Sequence, residues 1–336
     1  MFYKALWYQN YKQTRIIIWM ILALFILHLP FQSILSLERW KEQEHQAQQV
    51  EDYTYEIQAW EVLEIFSQGT LPILLSLGII ALACLLIGLE RNTRRNDFTF
   101  SLPFKRQDLF LAKWCYGTAA ITLFHIVNFF VAYVIIYQSE YRFALELANW
   151  IEIFWGPLLG FIMFFTFTLL IGAISGEMIS QVILTFLIGI FPLGIFFLMQ
   201  ELINVHFRIF ISSPTWLEFL TPFMYVMNHP SLASTIVFPI ILTGLFLWLG
   251  VHLYQKNKIE HNGEFLIFKV LNPIFLIIIT ICLSLLGGMI VSSLAPWNAD
   301  LLRIISYWIG FTTFLLFSLL LTNRLLSMNI TFRGKA

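Results

Sequence analysis

Eight stretches of this chain, roughly residues 16–37, 70–89, 114–137, 151–173, 181–203, 234–254, 273–293 and 303–323, are each long and apolar enough to cross a lipid bilayer. A helix needs about 20 apolar residues to span the hydrocarbon core, and only helices or closed barrels satisfy every backbone polar group there. The pattern predicts an all-α polytopic membrane protein with about eight transmembrane helices. Composition agrees, since 59% of residues are apolar, 12% are charged and 34 are Phe, more apolar surface than a water-soluble fold hides. No Pro/Gly/Ser-rich linker or soluble-looking block interrupts it, so one membrane domain is expected. The first apolar run is too long for a signal-peptide core and lacks a small-residue cleavage site, which predicts a retained anchor.

Orientation follows from the basic residues, which are held on the cytoplasmic side during insertion. With the N-terminus inside, 15 of the 20 Lys and Arg fall in cytoplasmic segments, among them Arg91, Arg94, Arg95, Lys105, Arg106 and Lys113. Fourteen of the 20 acidic residues fall outside, eight of them between Glu38 and Glu64. An odd number of spans scrambles this asymmetry, so eight spans with both termini cytoplasmic is the reading. Net charge is zero, and no basic surplus points to nucleic acid. Cys84, Cys115 and Cys282 lie in or beside apolar segments, with no disulfide framework implied.

Several segments carry further expectations. Phe2, Leu6, Trp7 and Tyr11 share a face at helical spacing, which predicts an interfacial helix over residues 1–14. The acidic stretch from Glu38 to Gln68 has no Gly or Pro until Gly69 and is expected to be helical along the outer interface. Its carboxylates, such as Glu51, Asp52 and Glu56, lack the calcium-loop spacing and turn glycine, and a solvated acidic face is the plainer reading. Gly156 with Gly160, and Gly172 with Gly176, are spaced for close helix approach. Gly189, Pro192 and Gly194 predict a kink or break in the fifth span, read either as a gate or as a packed bend. Residues 204–233, with Pro214, Pro222 and Pro230 among aromatic residues, predict a re-entrant or interfacial hairpin.

The span centres hold almost no ionisable group beyond His28 and His125, with Asn128 one turn from the latter. Ion-coupled carriers need intramembrane carboxylates, and His125 reads as a packing residue. No HExxH, paired helical histidines or acidic dyad supports an intramembrane enzyme. No channel filter signature is present, and no Walker A sequence occurs. Uphill movement by this protein therefore requires a separate ATPase.

The stretch from Glu90 to Lys113 surrounds an apolar-aromatic core, Phe98, Phe100, Leu102 and Phe104, with six basic residues. It reads as a protein-docking loop, the plainer alternative being a loop that only sets topology. Glu90 and Arg91, then Ser101, Leu102, Pro103, Arg106, Asp108 and Lys113, resemble the "ER … SLP … R … K" pattern of ABC-2 type transporter permeases. The resemblance implies that this loop forms a coupling helix docking on a nucleotide-binding subunit. It covers about residues 1–254, an ABC-2 type six-helix core with an N-terminal interfacial helix. Residues 255–336 then form a cytoplasmic linker and two additional transmembrane helices. That eight-helix plan, with Gly263 to Leu266 in the linker and Gly287 and Gly288 in the seventh span, is similar to Ytr-type permeases of Gram-positive bacteria. One departure concerns the start of the docking helix: Phe104 and Lys105 precede Arg106 where the family often has a capping Ser.

The resemblance implies a non-enzymatic permease subunit in the plasma membrane, exporting or extracting an amphiphilic substrate. Its partners would be an ATPase subunit, which binds ATP and Mg, and a second permease copy or homologue. No cofactor is expected in this chain. The alternative from another class is a non-transporting sensor or scaffold for a cell-envelope ligand.

Overall fold

Apolar length decides where this chain becomes helix, and a computed structural model, describing residues 4–49, 55–93, 99–227, 236–257 and 259–327, shows the result. Among the described residues, eight helical segments are long and apolar enough to span a membrane: Lys4–Ala47, Ala59–Asn92, Arg106–Tyr137, Ile151–Ile174, Met178–Phe207, Val237–Gln255, Lys269–Ser293 and Asp300–Thr322. The described residues contain no β-strand, and the protein is an all-α multi-pass membrane protein.

The first span departs from expectation at its start. From Lys4 the helix continues without interruption through residue 14, so no separate interfacial helix is set off. The reason is local: no Gly or Pro occurs before Pro30, and nothing interrupts the backbone hydrogen-bond ladder. At 44 residues the segment is about 66 Å long at 1.5 Å per residue, twice a bilayer core, so both ends project beyond it. A widened π-helical turn at Leu27–Phe31 accommodates Pro30. Phe2, and Glu51, Asp52 and Tyr53 of the acidic stretch, lie outside the described residues.

The second span is preceded by a short helix, Ala59–Phe66, with a capping box between Gln58 and Glu61. Gly69, at φ +97°, supplies the left-handed residue that lets the chain turn into Leu71. In the fifth span the expected interruption is not a break. Met178–Phe207 is helical throughout, with Pro192 inside and no break at Gly189 or Gly194. Membrane helices tolerate an internal Pro because neighbouring groups satisfy the freed carbonyl. A Cβ added at Gly194 meets only Ile190 of its own helix at 3.5 Å, so that glycine serves no close approach.

The chain divides into two units. The first comprises Met1–Ile87, Pro103–Leu170 and Pro222–Gln255; the second comprises Gly88–Leu102, Ile171–Thr221 and Lys256–Ala336. In the first, the core is aromatic: Phe25 lies 5.8 Å from Phe161 and Phe164 lies 5.0 Å from Phe223. Gly160 belongs to the fourth-span pair, and its added Cβ would stand 2.7 Å from the Tyr225 carbonyl, so the short helix Pro222–Met227 seats its backbone there. That helix and Thr215–Phe219 are the described elements of the expected hairpin; Pro230 lies outside the described residues.

In the second unit the seventh and eighth spans pack backbone to backbone. A Cβ on Gly288 would fall 2.7 Å from the Tyr307 ring, and one on Gly310 would collide with the Gly287 carbonyl. Van der Waals contact between small residues is the driving force available in lipid. The fifth span packs on this pair, bound at its end by Arg208 to Asp300 and by Glu201 to Arg303 at 3.6 Å. Trp308 also donates its indole N–H to His206 Nε2 at 3.0 Å. Span five therefore packs with the last two spans within this unit. The three free cysteines form no disulfide.

Candidate functional site

The predicted coupling residues sit at the basic ends of the spans, and burial sorts them into two kinds. Glu90, Arg91 and Lys113 are buried; Pro103 is exposed, and Phe100, Leu102, Arg106 and Asp108 are half-buried. Phe98, Arg94 and Arg95 lie outside the described residues.

In the first unit the third span begins at Arg106, with Lys105 extended before it at φ −67° and ψ 141°. No side chain caps this start, which agrees with the absence of the capping Ser. Asp108 stands in the first turn, where a carboxylate meets the positive end of the helix dipole. The Arg106 guanidinium donates to the carbonyl of Gln255 at 3.2 Å, the last residue of the sixth span. That carbonyl is among those a helix end leaves unsatisfied. Gln255 returns a side-chain bond to Gln107 Oε1 at 3.0 Å, and Phe110 packs 5.3 Å from Tyr254 and against Gly250. The start of the third span is thus tied to the end of the sixth.

Deeper in the same unit, Lys113 Nζ donates to the Leu86 carbonyl and Gln13 Nε2 to the Leu85 carbonyl. Both acceptors lie in a π-helical turn, Cys84–Gly88, at the end of the second span. A widened turn misaligns carbonyls from the regular ladder, and two side chains from other spans satisfy them. Thr14 and Tyr116 complete the contact with hydroxyls 3.0 Å apart.

In the second unit Arg91 Nη1 donates to the Gly172 carbonyl at 2.5 Å, in the last turn of the fourth-span helix. A cation at a helix C-terminus is favoured by the dipole and by the unsatisfied carbonyls together. Asn92 Oδ1 accepts from the Met178 amide at 3.1 Å, capping the start of the fifth span. A Cβ on Gly88 would lie 2.8 Å from Met178 Cα, and one on Gly172 would lie 2.6 Å from Gln181 Nε2. The linker lies alongside: Gly263, at φ +92°, donates to Gly176 O at 2.9 Å and Ile267 donates to Ile174 O at 2.9 Å. The Gly172 and Gly176 pair does permit close approach: Gly172 meets the Gln181 side chain of the fifth span, and Gly176 meets linker backbone.

Glu177 stands extended before the fifth span with its side chain buried. Its Oε1 has no hydrogen-bond partner among the described residues, and burial pushes its carboxyl above the ordinary range. Gln13, Asn92, Gln181 and Gln255 were not singled out in the sequence. Neutral amides at span ends carry no charge signal, and only their position beside a foreign carbonyl or amide gives them a role. His125 is buried, with Phe154 at 5.5 Å and Phe25 at 6.0 Å. Asn128 turns to the Phe124 carbonyl of its own helix at 2.7 Å, so the two do not pair.

The chain is 25% identical over 284 residues to the probable ABC transporter permease YtrC of Bacillus subtilis (strain 168), covering 80% of this chain and 83% of that one. It is 26% identical over 214 residues to the probable ABC transporter permease YtrD of the same organism, covering 60% of this chain and 64% of YtrD. By sequence this protein is a relative of the Ytr-type ABC transporter permeases. No family model and no solved structure matches the chain. The relationship agrees with the resemblance carried by Glu90, Arg91 and the Ser101–Lys113 stretch.

Proposed function

We propose that this chain is the membrane subunit of an ATP-binding cassette transporter, inserted in the plasma membrane with both termini and the 90–113 loop in the cytoplasm. A separate ATPase subunit binds ATP and Mg and hydrolyses the nucleotide, and a second permease subunit completes the complex. The observation that carries the reading is the tie between Arg106 and Gln255 in a relative of ABC permeases. A partner pressing on Pro103–Asp108 moves the third span, and the Arg106 and Gln107 bonds pass that displacement to the sixth. Exposed Lys105 supplies the charge that meets the partner, while half-buried Arg106 transmits. The aromatic, weakly polar spans suit an amphiphilic cargo.

The test is copurification of a Walker-containing ATPase with the chain, followed by ATP turnover of the complex with Arg106→Glu and Lys105→Glu. Loss of permease-dependent turnover in both supports the assignment. A complex that forms but whose turnover ignores both substitutions rejects it and favours a sensor or scaffold. Topology is read separately: in a cysteine-free background, Ser101→Cys is expected to resist a membrane-impermeant thiol reagent in intact cells and to react after lysis. Labelling in intact cells overturns the orientation.

A further inference from the structure

A groove of about 460 Å³ opens at the acidic end of the first unit, lined by Glu44, Tyr55, Glu56, Ile57, Glu140, Tyr141, Phe143 and Leu147. Its walls are held from behind. Buried Glu61 accepts from Trp40 Nε1 at 2.8 Å and from Tyr55 Oη at 2.5 Å, and its other oxygen accepts from the Gln58 amide at 3.0 Å. The Trp40 ring in turn stands 5.8 Å from Tyr141, whose hydroxyl donates to Glu44 Oε2 at 2.8 Å. Burial, then the Glu44 bond and the charges of Glu44 and Glu140, push the Tyr141 phenol up to about 12, so it remains a donor.

Three features define what fits. The apolar part is real: Phe143 is 53% and Leu147 is 41% exposed at the groove, with Ile57 buried beneath. The aromatic faces of Tyr55, Tyr141 and Phe143 attract cations. Glu44, Glu56 and Glu140 line the groove, are exposed, and form no ion pair with Lys or Arg within 4.0 Å among the described residues. A neutral or anionic ligand leaves those carboxylates without an ionic partner, and a small hydrated ion leaves the apolar faces unused. The volume falls in the range of small-molecule sites.

We propose that this groove binds an organic ammonium with an apolar or aromatic body, its charge among Glu44, Glu56 and Glu140 and its body against Phe143 and Leu147. Binding is reversible and requires no nucleotide. It is independent of the partnership proposed above and leaves open no role for the ATPase in the measurement.

The experiment places the full chain in nanodiscs of phosphatidylcholine, which adds no net surface charge, and titrates dansylcadaverine, a primary ammonium on an apolar fluorophore. Neutral dansylamide serves as the counterpart. Saturable binding of dansylcadaverine is expected, weakened at least tenfold by the combined Glu44→Gln, Glu56→Gln and Glu140→Gln substitutions and weakened by added salt. Dansylamide is expected to ignore the triple substitution. A control triple, Glu38→Gln, Glu42→Gln and Glu146→Gln, removes the same charge elsewhere and is expected to leave binding intact. Should the first triple fail to fold, Glu140→Lys alone is expected to abolish binding. The proposal is overturned by absence of saturable binding, by equal loss in the two triples, or by retained affinity in the groove variants.

Discussion

At the basic ends of the spans, cationic side chains end on backbone carbonyls; at the acidic ends, polar side chains end mostly on one another. Arg91, Arg106 and Lys113 each reach a carbonyl at or near the end of another span. At the other end Glu61 gathers Trp40 and Tyr55, Tyr141 meets Glu44, and Arg208 meets Asp300. The contrast follows from helix polarity. Carbonyls at a C-terminus are acceptors with partial negative charge, so Lys and Arg both satisfy and neutralise them. Carboxylates have no such use for a carbonyl and must find N–H or O–H donors, or remain in water. The basic end is therefore pinned by backbone, while the acidic end keeps charges available to a ligand.

Substitutions that remove a pinned cation test this contrast most severely. Arg91→Leu leaves the Gly172 carbonyl without its charged donor in a buried site, and a loss of about 3 kcal/mol is expected, read as a lower unfolding temperature of the detergent-solubilised protein. Arg91→Lys should recover part of it. At the acidic end, Glu61→Ala removes the acceptor for buried Trp40 and half-buried Tyr55 and the capping-box carboxylate, with about 2 kcal/mol expected in the same assay. Glu61→Gln, which keeps an acceptor oxygen, should cost less; equal loss would show that the carboxylate charge matters more than the hydrogen bonds.

A smaller effect of opposite sign is expected at Glu177. Because burial raises its carboxyl in the folded state, the unfolded chain releases that proton first as pH rises. Folding stability falls as pH climbs from the ordinary carboxyl range through the raised folded value, and the loss is complete above it. Glu177→Gln should remove this slope and be the more stable form at neutral pH, as pH-dependent melting of the two proteins will show. The smallest change is expected for Arg39→Ala. Its ion pair with Glu64 is 3.5 Å long, with both side chains substantially exposed, and exposed pairs contribute about 0–1 kcal/mol, less in salt.

Much of the architecture was legible before the structure. The eight spans were visible because apolar length is a local property, and in lipid it has one helical solution. Gly160, Gly172 and Gly176 were marked as close-approach sites, and each is one. Their partners were not legible, because a glycine's neighbour comes from remote sequence. Helix continuity was less legible, for related reasons. Pro192 looked disruptive locally, yet the fifth span continues through it, and nothing local ends the N-terminal helix at residue 14.

The candidate coupling stretch shows the same division. Its basic residues were read as one docking surface, and charge alone offered no way to separate them. The structure buries Arg91 and Lys113 against carbonyls 81 and 27 residues away, and half-buries Arg106 beside one 149 residues away. Hydropathy and charge asymmetry are sums over neighbouring residues, so sequence by itself determined the spans and the polarity of their ends. Which cations stay exposed and which are fixed depends on where unsatisfied carbonyls of distant helices arrive, and only tertiary packing decides that.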